Sequence, residues 1–358
     1  MSRIAVFLPC LAGGGAERSL VSLADGLARR GHEVHLVLAH ADGEYLASLP
    51  STVKLFDLKR QRVLSAVRPL TAYLRKEQPQ ALLSALDHAN VAAILAGRLS
   101  RTKTRIVVSL RNTLGEEYAT PSRGQKLTLT AARRLYPAAN AVVAVSNGVA
   151  DDAARVIGLP RNHIVTIYNP VITPSLHAQA AEPPIHPWFS DGGPPVVLGV
   201  GRLNAQKDFP TLLKAFGRLK TPARLMILGE GEKRTELEAL AGPFGDRVSL
   251  PGFSDNPFPA MAACGVFALS SRFEGLPGAL VQAMACGAPV VSTDCPSGPR
   301  EILEDGRWGA LVPVGDDAAL TSSIEVALNA PRPDYPGQTL ARFEEAPVLD
   351  AYEALLLG

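Results

Sequence analysis

The sequence predicts an α/β protein made of two doubly wound domains, each with a parallel sheet between layers of helices. Short apolar segments rich in Val, Ile and Leu alternate with amphipathic helical segments, which is typical of buried parallel strands joined by crossover helices. The alternation starts twice, at residues 3–11 and at residues 196–200, and a segment rich in Pro and Gly, residues 170–195, separates the two series. The length of 358 residues also exceeds what one hydrophobic core usually holds.

The composition is that of a globular protein, with 47% hydrophobic and 20% charged residues. No apolar run approaches the roughly 18 residues that a membrane-spanning helix needs. The apolar segment 4–12 follows a single Arg and contains Pro9, so it predicts a first buried strand rather than a signal peptide. The four cysteines form no CxxC pair, and we interpret them as reduced thiols of a cytoplasmic protein.

The net charge of +2 conceals an asymmetry between the two halves of the chain. Residues 1–170 contain 22 Lys and Arg against 12 Asp and Glu, whereas the remainder contains 14 against 22. A basic first half indicates an anionic partner, and membrane headgroups fit better than nucleic acid because aromatic residues make up only 6% of the chain. We therefore expect no nucleic-acid partner and a peripheral location on the inner face of the cell membrane. A solvated basic surface without a partner is the alternative.

The first domain opens with a strand, a Gly-rich turn and a helix. The turn places Gly14 and Gly15 between the strand that ends near Leu11 and a helix that continues to about Arg30. Glycines there let the backbone approach a ligand at a helix N-terminus, although many such turns are Gly-rich only for tight packing. The turn does not match the dinucleotide-binding pattern G-x-G-x-x-G.

Polar residues follow two further strands of the first domain. Asp87, a predicted helix N-cap, and His88 come after the strand 81–85. Arg111 and Asn112 come directly after the next predicted strand. An Arg at a strand end suits phosphate recognition through its planar donor fork. A capping or surface role is an equally good interpretation of His88.

The second domain repeats the alternation and adds a basic loop. After the strand 196–200, the loop begins with Gly201 and carries Arg202 and Lys207. Two cations five positions apart can neutralise a diphosphate. No cluster of His, Asp and Glu has metal-ligand spacing, so we expect no metal site. The structural alternative is an ion pair of these cations with Asp208 or its neighbours.

A second loop carries one carboxylate. The preceding strand ends at Leu269, the loop covers residues 272–277, and a helical segment continues to about Ala285. Glu274 therefore lies between the carboxyl end of a strand and the amino end of a helix, where ligands of open α/β sheets bind. The alternative is that Glu274 only caps the helix.

Three motifs of the second half resemble those of the retaining, nucleotide-sugar-dependent glycosyltransferases of family 4. They are G-R-L-x-x-x-K-D from Gly201, G-E-G-E from Gly229, and F-E-G-L-P followed by A-M-A-C-G-x-P-V-V from Phe273. The resemblance implies the GT-B fold, in which two Rossmann-like domains face a central cleft. The domains it predicts are an acceptor-side domain at residues 1–171 with a C-terminal helix, about 349–358, packed back on it, and a nucleotide-sugar-binding domain at residues 172–348.

The resemblance also implies roles for individual residues. Glu274 is expected to contact the donor sugar, while Arg202 and Lys207 hold the donor diphosphate. The expected donor-binding residues are Gly14, Gly15, Gly201, Phe253, Gly275, Leu276, Pro277 and Gln282, and the acceptor-side candidates are His88, Arg111 and Asn112. Gln282 stands where the family has a second Glu that holds the ribose hydroxyls. A neutral amide there weakens nucleotide binding by on the order of 1 kcal/mol, or about fivefold.

The implied reaction moves a sugar, with retained anomeric configuration, from a nucleoside diphosphate sugar to a saccharide or lipid-linked saccharide in bacterial glycan synthesis. We expect a UDP-sugar rather than a GDP-sugar, because the S-G-P-R-E-I-L stretch from Ser297 resembles transferases of surface and lipid-linked glycans. No metal and no cofactor are expected. Two alternatives stay open. Gln282 is compatible with a non-catalytic GT-B scaffold or binding partner of an active transferase, and two α/β lobes also occur in periplasmic binding proteins.

Overall fold

The computed structural model of the chain describes residues 1–12, 14–47, 49–184 and 186–358. The chain folds into two compact units, one formed by Met1–Pro170 with Phe343–Gly358 and the other by Val171–Arg342. No helix in the described part of the chain is both long enough and apolar enough to cross a membrane.

The first unit is built on seven strands that form one parallel sheet. These strands are β1 (Arg3–Leu8), β2 (Glu33–Leu38), β3 (Val53–Asp57), β4 (Ala81–Ala85), β5 (Arg105–Leu110), β6 (Ala141–Ala144) and β7 (Ile164–Thr166). Their order in the sheet is β3-β2-β1-β4-β5-β6-β7, so the strand order reverses between β1 and β4. The doubly wound architecture predicted from the sequence is therefore confirmed in this unit.

Helices cover this sheet and bury its apolar strands. They are α1 (Gly15–Arg29), α2 (Val67–Glu77), α3 (Asp87–Ser100), α4 (Leu114–Glu117), α5 (Arg123–Leu135) and α6 (Asn147–Ile157). The segment Val63–Ala66 is a 3₁₀ turn, and α2 begins directly after it at Val67. Pro69 fits there because the first turn of an α-helix does not use its backbone N–H groups.

The second unit repeats the plan with six parallel strands in the order β10-β9-β8-β11-β12-β13. These strands are β8 (Val196–Val200), β9 (Arg224–Leu228), β10 (Val248–Gly252), β11 (Val266–Leu269), β12 (Val290–Thr293) and β13 (Ala310–Val312). The helices are α7 (Leu176–Ala180), α8 (Phe209–Gly217), α9 (Arg234–Ala241), α10 (Phe258–Ala263), α11 (Gly278–Ala285), α12 (Pro299–Ile302), α13 (Asp317–Asn329) and α14 (Gly337–Ala341). The strand order reverses between β8 and β11, which makes the loops after these strands the expected ligand site.

The last helix, α15 (Glu345–Leu357), belongs to the first unit and begins earlier than the predicted position of about 349. Its apolar residues, among them Leu349 and Tyr352, join the core beneath β1 and β4. Arg29 at the end of α1 forms an ion pair with Glu345 at 2.6 Å, and Arg30 pairs with Glu353 at 2.9 Å. Apolar burial together with this row of ion pairs fixes α15 on α1.

Candidate active site

Glu274 lies in the loop between β11 and α11, at the switch point of the second sheet. The residue is 5% exposed, and its Oε1 atom accepts hydrogen bonds from Lys207 Nζ at 2.5 Å and from Ser271 Oγ at 2.6 Å. Charge-assisted hydrogen bonds of this length hold a side chain in one orientation. Glu274 is therefore fixed by its neighbours rather than free to act only as a helix cap.

Lys207 reaches Glu274 from the loop between β8 and α8. A Cβ atom added to Gly201 would lie 3.0 Å from Lys207 Cε, so the glycine leaves room for the lysine chain to cross the start of the loop. Lys207 does form an ion pair, as the structural alternative proposed, but its partner is Glu274 and not Asp208. Arg202 is in the same loop with an exposed side chain.

The β8–α8 loop and the β11–α11 loop are joined by several further bonds. Asp208 has a left-handed backbone with φ of 47°, is 5% exposed, and pairs with Arg272 Nε at 3.2 Å. Gln206 Nε2 donates to the Phe273 carbonyl at 2.9 Å, and the Arg272 amide donates to the Gln206 carbonyl at 2.8 Å. These bonds fix the position of Lys207 relative to Glu274.

The loop after β12 supports the Glu274 loop from the other side. Thr293 Oγ1 donates to the Ser271 carbonyl at 2.6 Å, and Ser297 Oγ donates to the Gly275 carbonyl at 2.9 Å. Gly298 has φ of +90°, and a Cβ atom on it would lie 2.4 Å from Pro277 Cδ. The glycine in the Ser297-Gly298 pair is therefore required by the packing of the two loops.

The other predicted donor-side residues of the second unit differ in their exposure. Phe253 directly follows β10 and is 47% exposed, which leaves its ring available to a ligand. Gly275, Leu276 and Pro277 are buried, and Gln282 is half-buried in the second turn of α11. Their contacts with a nucleotide stay predictions.

The glycines of the first unit lie where the sequence predicts, at the start of α1. Gly14 is the N-cap residue and Gly15 is the first residue of the helix. A Cβ atom on Gly14 would lie 2.2 Å from Glu17 Oε2, so the absence of a side chain makes room for a carboxylate at the helix N-terminus. A carboxylate there is favoured by the helix dipole.

Arg111 lies just past the end of β5, as predicted. Its Nη2 atom is buried and has no hydrogen-bond partner among the described residues. Burial lowers the pKa of Arg111, while the nearby Tyr352 and Glu17 act in the opposite direction. The neighbouring Asn112 accepts a hydrogen bond from the Thr113 amide at 3.0 Å. Tyr352 was missed because it comes from the far C-terminal helix, and only the tertiary structure brings it to Arg111.

The position of Asp87, the neighbour of His88, differs from the prediction. Asp87 is the first residue of α3 and not its N-cap, a position that Leu86 takes with φ of 74°. The Asp87 carboxylate instead accepts a hydrogen bond from Tyr118 Oη at 2.7 Å. His88 lies at the protein surface. The protein around its imidazole lowers the pKa of His88 by desolvation, and the charge of the adjacent Asp87 acts in the opposite direction.

Comparison with known proteins assigns this architecture to one enzyme family. The model described as Glycosyltransferase Family 4 matches residues 13–173, and the model described as Glycosyl transferases group 1 matches residues 194–330. The first matched segment covers most of the first unit and ends three residues into the second, and the other lies within the second unit.

Two curated relatives match nearly the whole chain. The N-acetylgalactosamine-N,N'-diacetylbacillosaminyl-diphospho-undecaprenol 4-alpha-N-acetylgalactosaminyltransferase of Campylobacter jejuni is 29% identical over 341 residues, which cover 92% of this chain and 90% of that protein. The lipopolysaccharide core biosynthesis glycosyltransferase LpsE of Rhizobium meliloti is 28% identical, with 96% of both chains covered.

Solved structures show the same fold. HepE from Anabaena, in complex with UDP and glucose, superposes with a TM-score of 0.78 at 21% identity, and 99% of both chains are covered. The two sheets, the motifs and the family matches agree. The chain belongs to the family 4 glycosyltransferases, and it is a glycosyltransferase with the GT-B fold.

Proposed function

We propose that the enzyme transfers a sugar from a nucleoside diphosphate sugar, a UDP-sugar in preference to a GDP-sugar, to a lipid-linked saccharide with retention of anomeric configuration. The observation that carries this proposal is the ion pair between the buried Glu274 and the half-buried Lys207 at the switch point of the second sheet. Both hydrogen bonds to the Glu274 carboxylate are made to Oε1, which leaves Oε2 to accept from donor-sugar hydroxyls.

The charges of this loop pair suit the departure of a nucleoside diphosphate. Negative charge builds on the leaving phosphates, and Arg202, Lys207 and the first amides of α11 near Gly275 would stabilise it. Glu274 would orient the donor sugar near the developing oxocarbenium centre. The acceptor oxygen forms the new bond to the anomeric carbon, the leaving phosphate keeps the electron pair of the broken bond, and it takes the acceptor proton.

The nature of the substrates rests on the relatives. The Campylobacter jejuni protein is named for transfer of N-acetylgalactosamine to a diphospho-undecaprenol-linked saccharide, and the Anabaena protein has been solved with UDP-glucose. A lipid-linked diphosphate acceptor fits the unpartnered guanidinium nitrogen of Arg111 on the acceptor-side unit. We propose that His88 and Asn112 line the same acceptor region, and that Gly14 and Gly15 contact the donor diphosphate.

A membrane-borne acceptor would also explain the basic first half of the chain. Helix α5 exposes Arg123, Lys126 and Arg134, and Leu127 on it is 65% exposed. Cations around an exposed apolar side chain suit the surface of an anionic bilayer. We propose peripheral contact of this helix with the inner face of the cell membrane. Sedimentation with phosphatidylglycerol vesicles, but not with phosphatidylcholine vesicles, tests it.

The proposed function is tested by calorimetric titration with UDP and with GDP in EDTA. We expect UDP to bind without metal, and the Arg202→Ala variant to bind it at least tenfold more weakly. Arg218→Ala, which changes an exposed arginine at the end of α8, is the matched control. Binding of GDP alone would reverse the donor preference. Binding of neither nucleotide would favour a non-catalytic role, and Gln282 would then be the residue to explain.

A further inference from the structure

A cavity of about 310 Å³ opens at the amino edge of the first sheet, the edge at which its strands begin. Its polar lining includes Arg98 from the last turn of α3, Lys103 and Thr104 from the loop before β5, and Asn140 directly before β6. Because all strands of this sheet are parallel, the cavity lies at the opposite end of β5 from Arg111. It is therefore separate from the acceptor-side candidates.

Positive charge is concentrated in the chain segment that borders this cavity. Residues 98–105 contain four cations and no carboxylate, and the cations are Arg98, Arg101, Lys103 and Arg105. None of the four forms an ion pair or a side-chain hydrogen bond with a described residue, and Arg105 Nε is buried without a partner. Like charges this close in the chain repel one another, so an anion bound among them would relieve the repulsion.

The C-terminus of α3 does not account for these cations. Arg75 on α2 already donates to the carbonyl groups of the last two residues of α3, at 2.7 and 3.3 Å. The helix dipole favours a cation in the last turn, which explains Arg98. Lys103 and Arg105 lie beyond the end of α3, where the effect of the dipole has fallen off. The fold therefore supplies no partner for them.

Two uncharged side chains in the lining also have a hydrogen-bond donor to spare. Thr104 Oγ1 accepts a hydrogen bond from Thr102 Oγ1 at 3.0 Å, which leaves the Thr104 hydroxyl proton available to a ligand. Asn140 Oδ1 accepts from the Ile106 amide at 2.7 Å, which orients the side chain and leaves Nδ2 as a donor. Two cations and two donors, with no carboxylate among the described lining residues, select a ligand that is rich in acceptors.

A phosphate group matches this set of donors. Its oxygens accept hydrogen bonds, and the guanidinium fork and the lysine ammonium are the usual protein partners of phosphate. A volume of about 310 Å³ is at the small end for ligand pockets, so the site suits a small phosphate-bearing group. A cavity of about 480 Å³ in the second unit differs, because Asp246 lines it and its Arg224 is already paired with Asp191 at 2.6 Å.

We propose that Arg98, Lys103, Thr104 and Asn140 form a phosphate-binding site at the amino edge of the first sheet. Arg98 and Lys103 supply the charge, and Thr104 and Asn140 supply neutral hydrogen bonds. The phosphate belongs to a small soluble compound or to a phospholipid headgroup, and Leu99, which is 54% exposed beside Arg98, suits the second source. The site is additional to the proposed function, because none of these residues takes part in the transfer of the sugar.

Calorimetric titration with pyrophosphate tests the soluble source. It is done on the whole chain at constant ionic strength, with UDP present to occupy the proposed donor site. We expect pyrophosphate to bind, and Arg98→Ala and Lys103→Ala each to weaken the binding about tenfold. Lys103→Arg keeps the charge and should keep most of the affinity. Arg62→Ala, which changes an exposed arginine in the loop after β3 at the other edge of the sheet, is the matched control.

Sedimentation with vesicles tests the headgroup source, and it compares the native chain with the double variant Arg98→Ala, Lys103→Ala. A headgroup source predicts binding to phosphatidic acid vesicles, but not to phosphatidylcholine vesicles, that falls at least tenfold in the double variant. A soluble source predicts equal sedimentation of both chains and loss of pyrophosphate binding in the double variant. Urea unfolding should show the double variant to be at least as stable as the native chain, because two like charges are removed. If the double variant changes neither pyrophosphate binding nor sedimentation, the proposal is wrong.

Discussion

The buried polar atoms at the carboxyl edges of the two sheets differ in whether the protein itself supplies their hydrogen-bond partners. In the second unit, Glu274 is bonded to Lys207 and Ser271, and the neighbouring Asp208 is bonded to Arg272 and Thr211. Each buried carboxylate there has a cation and a hydroxyl from the protein itself. The loops of this cluster are therefore in place before any ligand binds.

The first unit leaves comparable atoms without protein partners. Arg111 Nη2, Asn90 Oδ1 and Tyr352 Oη are buried and unpartnered among the described residues. Burial shifts pKa values toward the neutral form at this edge, upward for Asp87 and downward for Arg111. The contrast teaches that the cluster of the second unit is preorganised by its own charges, whereas the first unit keeps buried polar atoms that no described residue satisfies.

Lys207→Ala should have the largest effect, because it breaks the pair on which the second cluster depends. Loss of one cation that stabilises a leaving group lowers kcat by about 10²–10³-fold. The variant also leaves Glu274, which is 5% exposed, without a cation, at a cost of about 3 kcal/mol in the free energy of unfolding. Steady-state kinetics and urea unfolding measure the two effects.

A second variant and a control make this result specific. Lys207→Ala combined with Glu274→Gln removes both charges, so it should recover most of the lost stability and none of the turnover. Lys214→Ala changes an exposed lysine on α8 and should leave both quantities unchanged. Equal stability of Lys207→Ala and Lys214→Ala would mean that the pair contributes nothing to the fold.

Ser271→Ala tests whether Glu274 needs its second donor. Hydrogen bonds to charged groups contribute about 1.5–3 kcal/mol, so kcat should fall by roughly ten- to a hundredfold. The donor KM should change little if Ser271 only orients the carboxylate, and Ser271→Thr should restore most of the rate. Ser322→Ala on the exposed side of α13 is the control. A fall confined to KM would show that Ser271 contacts the donor directly.

The fold could be predicted because local sequence patterns indicate it. Continuous apolar runs such as Ile4–Leu8, all fully buried, and the repeated order of strand, turn and helix identify a doubly wound sheet without any long-range information. The positions of Glu274 and Lys207 could also be predicted, because each follows a buried strand of the same sheet. Their bond to each other could not, since it depends on which strands lie side by side.

The hydrogen bonds of Asp87 were missed for the same physical reason. Asp87 was interpreted as a helix cap because its local sequence favours one, but Tyr118 and Tyr136 reach it from segments distant in the sequence. Tyr352 reaches Arg111 only because α15 returns to the first unit.

Gln282→Glu tests whether a carboxylate at position 282 strengthens nucleotide binding. Gln282 is half-buried in α11, and a carboxylate there would accept from ribose hydroxyls more strongly than the amide does. We expect UDP to bind about fivefold more tightly, with kcat nearly unchanged. Gln282→Met, which keeps the length and removes the polar atoms, should weaken UDP binding. Calorimetry that shows no difference among the three chains would place Gln282 out of reach of the nucleotide.

The smallest expected effect is on stability, and it comes from removing one tyrosine hydroxyl group in each unit. Tyr335 Oη of the second unit donates to the Ala288 carbonyl at 2.8 Å, so Tyr335→Phe should cost about 1 kcal/mol in the free energy of unfolding. Tyr352 Oη of the first unit is buried near Arg111 and Ser109 but makes no well-formed hydrogen bond with a described residue, so Tyr352→Phe should cost less than Tyr335→Phe in the absence of substrates. Urea unfolding of both variants measures the difference. If Tyr352→Phe lowered the free energy of unfolding as much as Tyr335→Phe does, the Tyr352 hydroxyl would already be hydrogen-bonded to protein or to tightly held water. Only a hydroxyl without such a bond can be removed at little cost in stability.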